Sequence, residues 1–364
     1  MSLLVFSFLA SLFTAMLLVR SSVRHAEKWG DHDLSGPQKF HSRPVPRVGG
    51  VAILSGVLIG TIMAQFSTGS NAPKLWLLLV AGLPAFIAGV TEDLTKNVSP
   101  RRRLFFTAMS AALAVWWLDA FIPRTDIPGM DLLMPWAPFA IGITIFVVTG
   151  VANAVNIIDG FNGLAAMCVL MMLMAIAYVA FQVGDMFIFS GALILVGAVM
   201  GFFVWNFPAG LIFLGDGGAY FLGFLLAELS VLLLHRNPQI SPIFTLLLCA
   251  YPVFETLFSI YRKKWLRGIS PGVPDGVHLH MLVYKRLMRL MVGKNLDRRK
   301  TVRNSLTSPY LWVLCLTSVI PAVLFWNNTV MLAVFLVLFM AFYVFLYWSI
   351  VRFRTPRWLV VRRR

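Results

Sequence analysis

Charge is the scarcest property of this sequence. Only 13% of its 364 residues are charged, and 15 acidic side chains stand against 31 lysines and arginines. A soluble globular domain carries roughly a quarter charged residues, so the composition excludes that class. Cysteine is nearly missing: Cys168, Cys249 and Cys315 are all there is. Each lies inside an apolar run, without the spacing of a zinc site or a disulfide framework, and reads as a packing residue. No internal repeat of the kind common in transporters is visible. The net charge of +16 comes without any recognisable nucleic-acid module, so nucleic acid is not an expected partner.

What the chain has instead is long apolar sequence, 59% hydrophobic with a mean hydropathy of +0.80. Apolar stretches of roughly 17–25 residues can cross a bilayer as helices. The pattern predicts an all-α polytopic membrane protein with about 11 transmembrane helices, at 2–19, 48–66, 74–91, 104–118, 136–151, 164–181, 187–205, 218–234, 242–260, 309–325 and 329–351. They form one integral membrane domain over 1–351, followed by a basic tail at 352–364. No Lys or Arg precedes Arg20, so the first run reads as a retained helix rather than a cleaved leader. Lys and Arg concentrate in cytoplasmic loops. With the N-terminus outside and the C-terminus cytoplasmic, segments 20–47, 92–103, 152–163, 206–217, 261–308 and 352–364 hold 28 of the 31 basic residues. Anionic lipid headgroups are the natural counterpart of that charge.

Polar islands punctuated by glycine and proline interrupt the apolar runs, and this orientation puts all of them on the cytoplasmic face. The first, Asp33–Gly50, carries Lys39, His41, Arg43 and Arg47, which suit phosphate oxygens or simply a solvated basic loop. The second begins with Glu92-Asp93 and continues through Lys96, Ser99 and Arg101-Arg102-Arg103. Adjacent carboxylates at a membrane edge repel unless a cation intervenes, and magnesium takes one or two carboxylates together with substrate phosphates. The third holds Asn153, Asn156, Asp159 and Asn162 among Gly160 and Gly163. If helical, Asn156 and Asp159 share a face. Carboxylates held at the edge of hydrocarbon are usually working groups. The fourth, Asn206–Gly218, isolates Asp216 among glycines just before an apolar run. Asp216 there is either a metal ligand beside a phosphate-binding helix N-terminus or a helix cap, and the two are compatible. The fifth is the loop 261–308 with His278 and His280, read as phosphate or substrate binders because further zinc ligands are missing nearby. Glu228 and Glu255 fall inside predicted spans and must face protein or water.

These islands, in this order from about Asp33 to His280, resemble those of the polyprenyl-phosphate N-acetylhexosamine-1-phosphate transferases, or glycosyltransferase family 4. By position, Lys39 and His41 are similar to the basic pair of the first cytoplasmic loop and Glu92-Asp93 to an Asp-Asp pair. Asn153, Asn156, Asp159 and Gly160 match an Asn-Ala-x-Asn-x-x-Asp-Gly motif, Asp216 a Gly-Asp-x-Gly aspartate, and His278 and His280 a His-x-His-His signature. Three positions depart from the pattern: Glu92 for Asp, Asn162 for a second Asp, and Met281 for the signature's third histidine. They weigh against the phospho-MurNAc-pentapeptide translocase branch and towards the branch that initiates O-antigen or other surface glycans.

The resemblance implies a multi-pass enzyme of the bacterial inner membrane with its active site on the cytoplasmic face. It would transfer a sugar-1-phosphate from a UDP-N-acetylhexosamine to undecaprenyl or another polyprenyl phosphate, releasing UMP. Asp93, Asp159 and Glu92 would be catalytic. Lys39, His41, Lys96, Arg101, Arg102, Asn153, Asn156, Asn162, His278 and His280 would bind substrate. Asp216 and Asp159 would hold Mg²⁺, with Mn²⁺ as the alternative ion. Membrane lipids would surround the chain, and a homodimer is compatible with it. Two other classes stay open at this stage: a lipid or solute transporter, and a catalytically decayed assembly scaffold.

Overall fold

The computed structural model describes residues 1–24, 45–67, 71–270, 272, 276–292 and 297–352. In chain order its helices are α1 (Ser2–Arg24), α2 (Gly49–Ser67), α3 (Ala72–Thr95), α4 (Pro100–Leu118), α5 (Ala137–Ile158), α6 (Leu164–Gln182), α7 (Met186–Asn206), α8 (Gly215–Arg236), α9 (Pro242–Leu248), α10 (Ala250–Tyr261), α11 (Leu279–Leu282), α12 (Arg289–Val292), α13 (Asp297–Leu324) and α14 (Thr329–Val351). Wider π turns extend α10 through Arg262–Leu266 and α11 through Val283–Met288. No strand occurs among the described residues.

Every expected span coincides with a helix or a pair of helices, but not all are equivalent. Nine helices of the described residues are long and apolar enough to cross a bilayer: α1, α2, α3, α5, α6, α7, α8, α13 and α14. A tenth span is broken. The α9 and α10 helices meet at Cys249 with a 73° bend. The helix α4 opens on Arg101, Arg102 and Arg103, and its charge keeps it outside that group. Several helices overrun their apolar sequence, two of them by seven residues or more. The α5 helix continues past the expected end at 151 to Ile158, and α13 begins at Asp297 rather than 309. In both overruns, side chains of the polar turns find partners on neighbouring helices, so they need not compete for their own backbone. Asn153 and Asn156 meet α8, while Asn304 and Ser305 meet the turn at Asn162.

The α8 helix is the axis of the bundle. Every residue from Gly215 to Leu234 is buried. A helix that is apolar on all sides needs neighbours on all sides, and α2, α3, α5 and α6 pack around it. Its polar start and its basic end, Asp216 and Arg236, are about 30 Å apart at 1.5 Å per residue, which is the thickness of a hydrocarbon core. At the far end, the Arg236 guanidinium donates to both oxygens of Asp185, at 2.7 and 3.2 Å. Asp185 also caps α7 by accepting from the Ile188 N–H at 3.2 Å.

At the near end, glycines let backbones touch. A Cβ on Gly89 of α3 would come 2.5 Å from the Gly217 Cα of α8, and one on Gly50 of α2 would strike the Gly218 backbone. The chain before α2 is tied down too: the Phe213 N–H donates to the Pro46 carbonyl, and the Gly49 and Gly50 N–H groups donate to the Phe213 and Leu214 carbonyls at 2.9 and 3.0 Å. Overpacking of this kind costs about 1–3 kcal/mol. Gly50→Val and Gly89→Val should each lower the thermal midpoint of the detergent-purified protein by several degrees. Gly142→Ala, where nothing lies within 4 Å, should leave it unchanged.

Candidate active site

The first turn of α8 carries a carboxylate, Asp216, that three other elements reach. Leu214, not Asp216, is the N-cap residue, so Asp216 sits inside the helix and its side chain is free to turn outwards. Gly215 makes this possible. Its φ of +74° is a left-handed conformation, and a Cβ there would collide with the Arg47 carbonyl and come 2.6 Å from Asp93 Oδ2. Three elements then reach Asp216. Arg47, just before α2, donates from Nη2 to Oδ1 at 3.1 Å. Asn156, on the last turn of α5, donates from Nδ2 to the same oxygen at 3.3 Å. Arg103, on α4, forms an ion pair with Oδ2. Asp216 is 7% exposed, and a carboxylate so buried requires this compensation.

Asp93 joins from the last turn of α3. Its Oδ2 accepts from the Gly217 N–H at 2.9 Å, and Arg47 Nε lies 3.4 Å from its Oδ1. Arg47 therefore sits between the two carboxylates, and Asp93 Oδ1 is buried with no hydrogen-bond partner among the described residues. Glu92 faces differently: its Oε2 accepts from the Val98 N–H at 2.7 Å and so closes the turn between α3 and α4. Lys96, exposed in that turn with a left-handed φ of 57°, lies within electrostatic reach of Asp93.

The third island divides between two jobs. Asn153 and Asn156 are helical and line up on α8: Asn153 Oδ1 accepts from the Tyr220 hydroxyl at 3.2 Å, and Arg103 lies over the Tyr220 ring at 5.8 Å. Asp159 ends α5 near the same charges. Burial raises its carboxyl to about 7, with Arg47 opposing and Asp93 adding to the rise. Asn162 points the other way. Its N–H donates to Asn304 Oδ1 at 2.8 Å, its amide donates to the Pro208 carbonyl at 3.2 Å and to Ser305 at 3.3 Å, and its carbonyl accepts from Ser308 at 2.6 Å. The structure therefore ties the island to α13 through Asn162. A carboxylate there could not donate to Pro208, which gives the Asn-for-Asp departure a physical reason.

His280 reaches the island from the last loop. It is fully buried, and a Cβ on Gly160 would lie 3.3 Å from its Nε2. The ring stacks in parallel on His278 at 5.2 Å and meets Phe161 edge-on at 5.7 Å. Arg101 and Arg102 are exposed at the start of α4, so of the three consecutive arginines it is Arg103 that enters the cluster. Lys39 and His41 lie outside the described residues. The sequence marks Arg103 only as part of a basic run, and it does not mark Tyr220. Tyr220 follows Asp216 by four residues and so shares its helix face, a signal that was there to be read.

Among the described residues, no group of three His, Cys, Asp or Glu side chains could hold a metal by itself. Magnesium does not need one, because it takes one or two carboxylates and completes its shell with phosphates and water. Asp216 and Asp93 are hard oxygen donors facing one another across Arg47, and Asp93 Oδ1, which makes no hydrogen bond among the described residues and only a 3.4 Å ion pair with Arg47, has capacity left for a cation. This donor set fits a magnesium ion shared with a bound phosphate.

Burial pushes the His280 imidazole down to about 3, so it is neutral near physiological pH. The unfolded chain, with an ordinary histidine, binds a proton that the folded chain refuses between about 6.5 and that value. Stability should therefore fall as pH drops from 7 to 5, and His280→Gln should flatten that fall in thermal-unfolding measurements across the same range.

Comparison with known proteins places this geometry in a family. The profile of glycosyl transferase family 4 matches residues 75–234, which run from α3 to the end of α8. The chain is 28% identical over 278 residues to a probable undecaprenyl-phosphate N-acetylglucosaminyl 1-phosphate transferase of Bacillus subtilis, covering 76% of each chain. It is 27% identical over 259 residues to an undecaprenyl-phosphate alpha-N-acetylglucosaminyl 1-phosphate transferase of Thermotoga maritima, covering 70% of this chain and 73% of the relative. It is 30% identical over 260 residues to a phospho-N-acetylmuramoyl-pentapeptide-transferase of Phenylobacterium zucineum, covering 61% of this chain and 67% of the relative. With its multi-pass helical bundle and its polar islands gathered at one end of α8, the chain belongs to glycosyl transferase family 4.

Proposed function

We propose that this protein transfers N-acetylhexosamine-1-phosphate from a UDP-sugar to undecaprenyl phosphate in the bacterial inner membrane, starting a surface glycan such as O-antigen. Its N-terminus would lie outside, and the Asp216 end of α8 would face the cytoplasm, where UDP-sugars are found. The observation that carries this reading is the convergence of Asp93 and Asp216 on Arg47, with Arg103 and Asn156 alongside, at one end of a membrane-long buried helix. The relatives' names as undecaprenyl-phosphate N-acetylglucosaminyl 1-phosphate transferases support the substrate class.

In this reaction a phosphate oxygen of the lipid forms a bond to the sugar-linked β-phosphorus of the donor. The bond from that phosphorus to the oxygen of UMP breaks, giving polyprenyl diphosphate-sugar and UMP. The lipid phosphate is already ionised near neutral pH, so the site has more to do in positioning and in neutralising charge than in removing protons. Arg47 and Arg103 are placed to take up phosphate oxygens in place of the Asp93 and Asp216 carboxylates they hold. Asp93 orients the attacking lipid phosphate. Asn153 and Asn156 set the donor against α8, and His278 contributes from the last loop. Magnesium, held by Asp216 with Asp93 or Asp159, would screen the diphosphate and stabilise departing UMP.

The test is UMP release by purified protein given undecaprenyl phosphate, Mg²⁺ and a panel of UDP-sugars. Release that needs both lipid and magnesium is expected; none with any donor, from folded protein, would overturn the reading. Asp216→Ala should lower kcat by about 10²–10³-fold, the usual cost of losing one electrostatic contact to the transition state. Arg103→Ala should cost a similar factor, whereas Arg101→Ala, at an exposed position, should keep kcat within a few-fold. Equal losses at Arg101 and Arg103 would contradict the assigned geometry.

A further inference from the structure

The last loop is held by a carboxylate that the reaction does not touch. Glu255, on α10, is 1% exposed and faces the interior of the bundle. Its Oε1 accepts from His278 Nδ1 at 2.9 Å and from the Leu279 N–H at 3.1 Å. Its Oε2 accepts from the Tyr343 hydroxyl of α14 at 2.7 Å. The residue before His278 is clamped separately, because Arg262 and Tyr347 both donate to the Val277 carbonyl, at 2.9 and 3.2 Å. The backbone of the loop thus has its own anchors, and the Glu255 contact to the imidazole is additional.

That contact decides the chemistry of the ring. An imidazole whose Nδ1–H is given to a carboxylate presents Nε2 to whatever approaches its other edge, and the partner fixes both tautomer and orientation. His278 is 6% exposed, and its Nε2 has no hydrogen-bond partner among the described residues. Its flat face is covered by the parallel ring of His280, which in turn abuts Gly160. The imidazole is therefore held by its Nδ1 edge and covered on one face, while its Nε2 makes no hydrogen bond among the described residues.

We propose that Glu255 is a positioning residue, which locks His278 in the Nδ1–H tautomer and aims its Nε2 at a phosphate of the bound diphosphate donor. The inference rests on the transferase reading above and extends it to a residue buried outside the acidic cluster.

The test is a double-mutant cycle on the full chain, scored by UMP release. Glu255→Gln keeps the shape and an oxygen acceptor for both Leu279 and His278 but removes the charge that strengthens the bond to the ring, so the fold should survive, as a thermal midpoint would verify. It should lower kcat/KM by about 10-fold, in the range usual for such supporting partners. In a His278→Ala background the same change should alter kcat/KM by less than about 2-fold, because its effect runs through the missing ring. Equal losses in both backgrounds would make Glu255 a structural anchor only and overturn the proposal. Should Glu255→Gln fail to fold, nitrogen-15 spectra of histidine-labelled wild type still decide: an Nε2–H tautomer at His278 overturns it. If wild type releases no UMP with any donor, the transferase reading falls and takes the positioning role with it. If wild type turns over and the losses multiply, the positioning role alone falls.

Discussion

The structure depends on burying the first turn of α8 together with its carboxylate. A helix enclosed on every side from Gly215 to Leu234 has no solvent to lend Asp216, so neighbouring elements must supply the donors. Arg47, Arg103 and Asn156 do so from three separate parts of the chain. The glycines around the turn follow from the same demand: only backbones without side chains can approach closely enough, as Gly50 and Gly89 do at Gly218 and Gly217. Folding the bundle and assembling the site are the same event at this end of the molecule.

Opposite charges packed so tightly have a functional meaning. Two arginines held by two aspartates are preorganised cations, which in the proposed reaction would trade those partners for phosphate oxygens. The far end of α8 offers a contrast. There Asp185 and Arg236 satisfy each other in a bidentate pair, and Asp185 is also a helix cap, with no oxygen left orphaned. At the near end Asp93 Oδ1 makes no hydrogen bond among the described residues and has only the longer ion pair with Arg47.

The turn after α5 connects the acidic cluster to the other loops at that end of the bundle. Within a few residues it sends Asn156 to Asp216, Gly160 to His280 and Asn162 to α13. Residues that read as one polar island are therefore divided by direction: one face serves the cluster and the other ties down α13. Glu255 extends the same logic into the bundle, where a buried carboxylate orders a loop rather than meeting substrate.

The sequence by itself determined that the chain is a helical membrane bundle, because apolar runs near 20 residues admit few other structures. It also marked Asp93, Asn156, Asp159 and Asp216, since a carboxylate or an amide bordering hydrocarbon is costly wherever it sits. Direction was not legible in that way. Nothing in the run Arg101-Arg102-Arg103 says that the third arginine turns inwards, because helix phase is set by how α4 packs on its neighbours. Nor does composition show that Asn162 faces scaffold, that Glu92 closes a turn, or that α10 bends away from α9 at Cys249. Those outcomes depend on contacts between residues far apart in the chain, such as Asn162 with Asn304 and Glu255 with Tyr343, and only the tertiary structure brings them within hydrogen-bond distance.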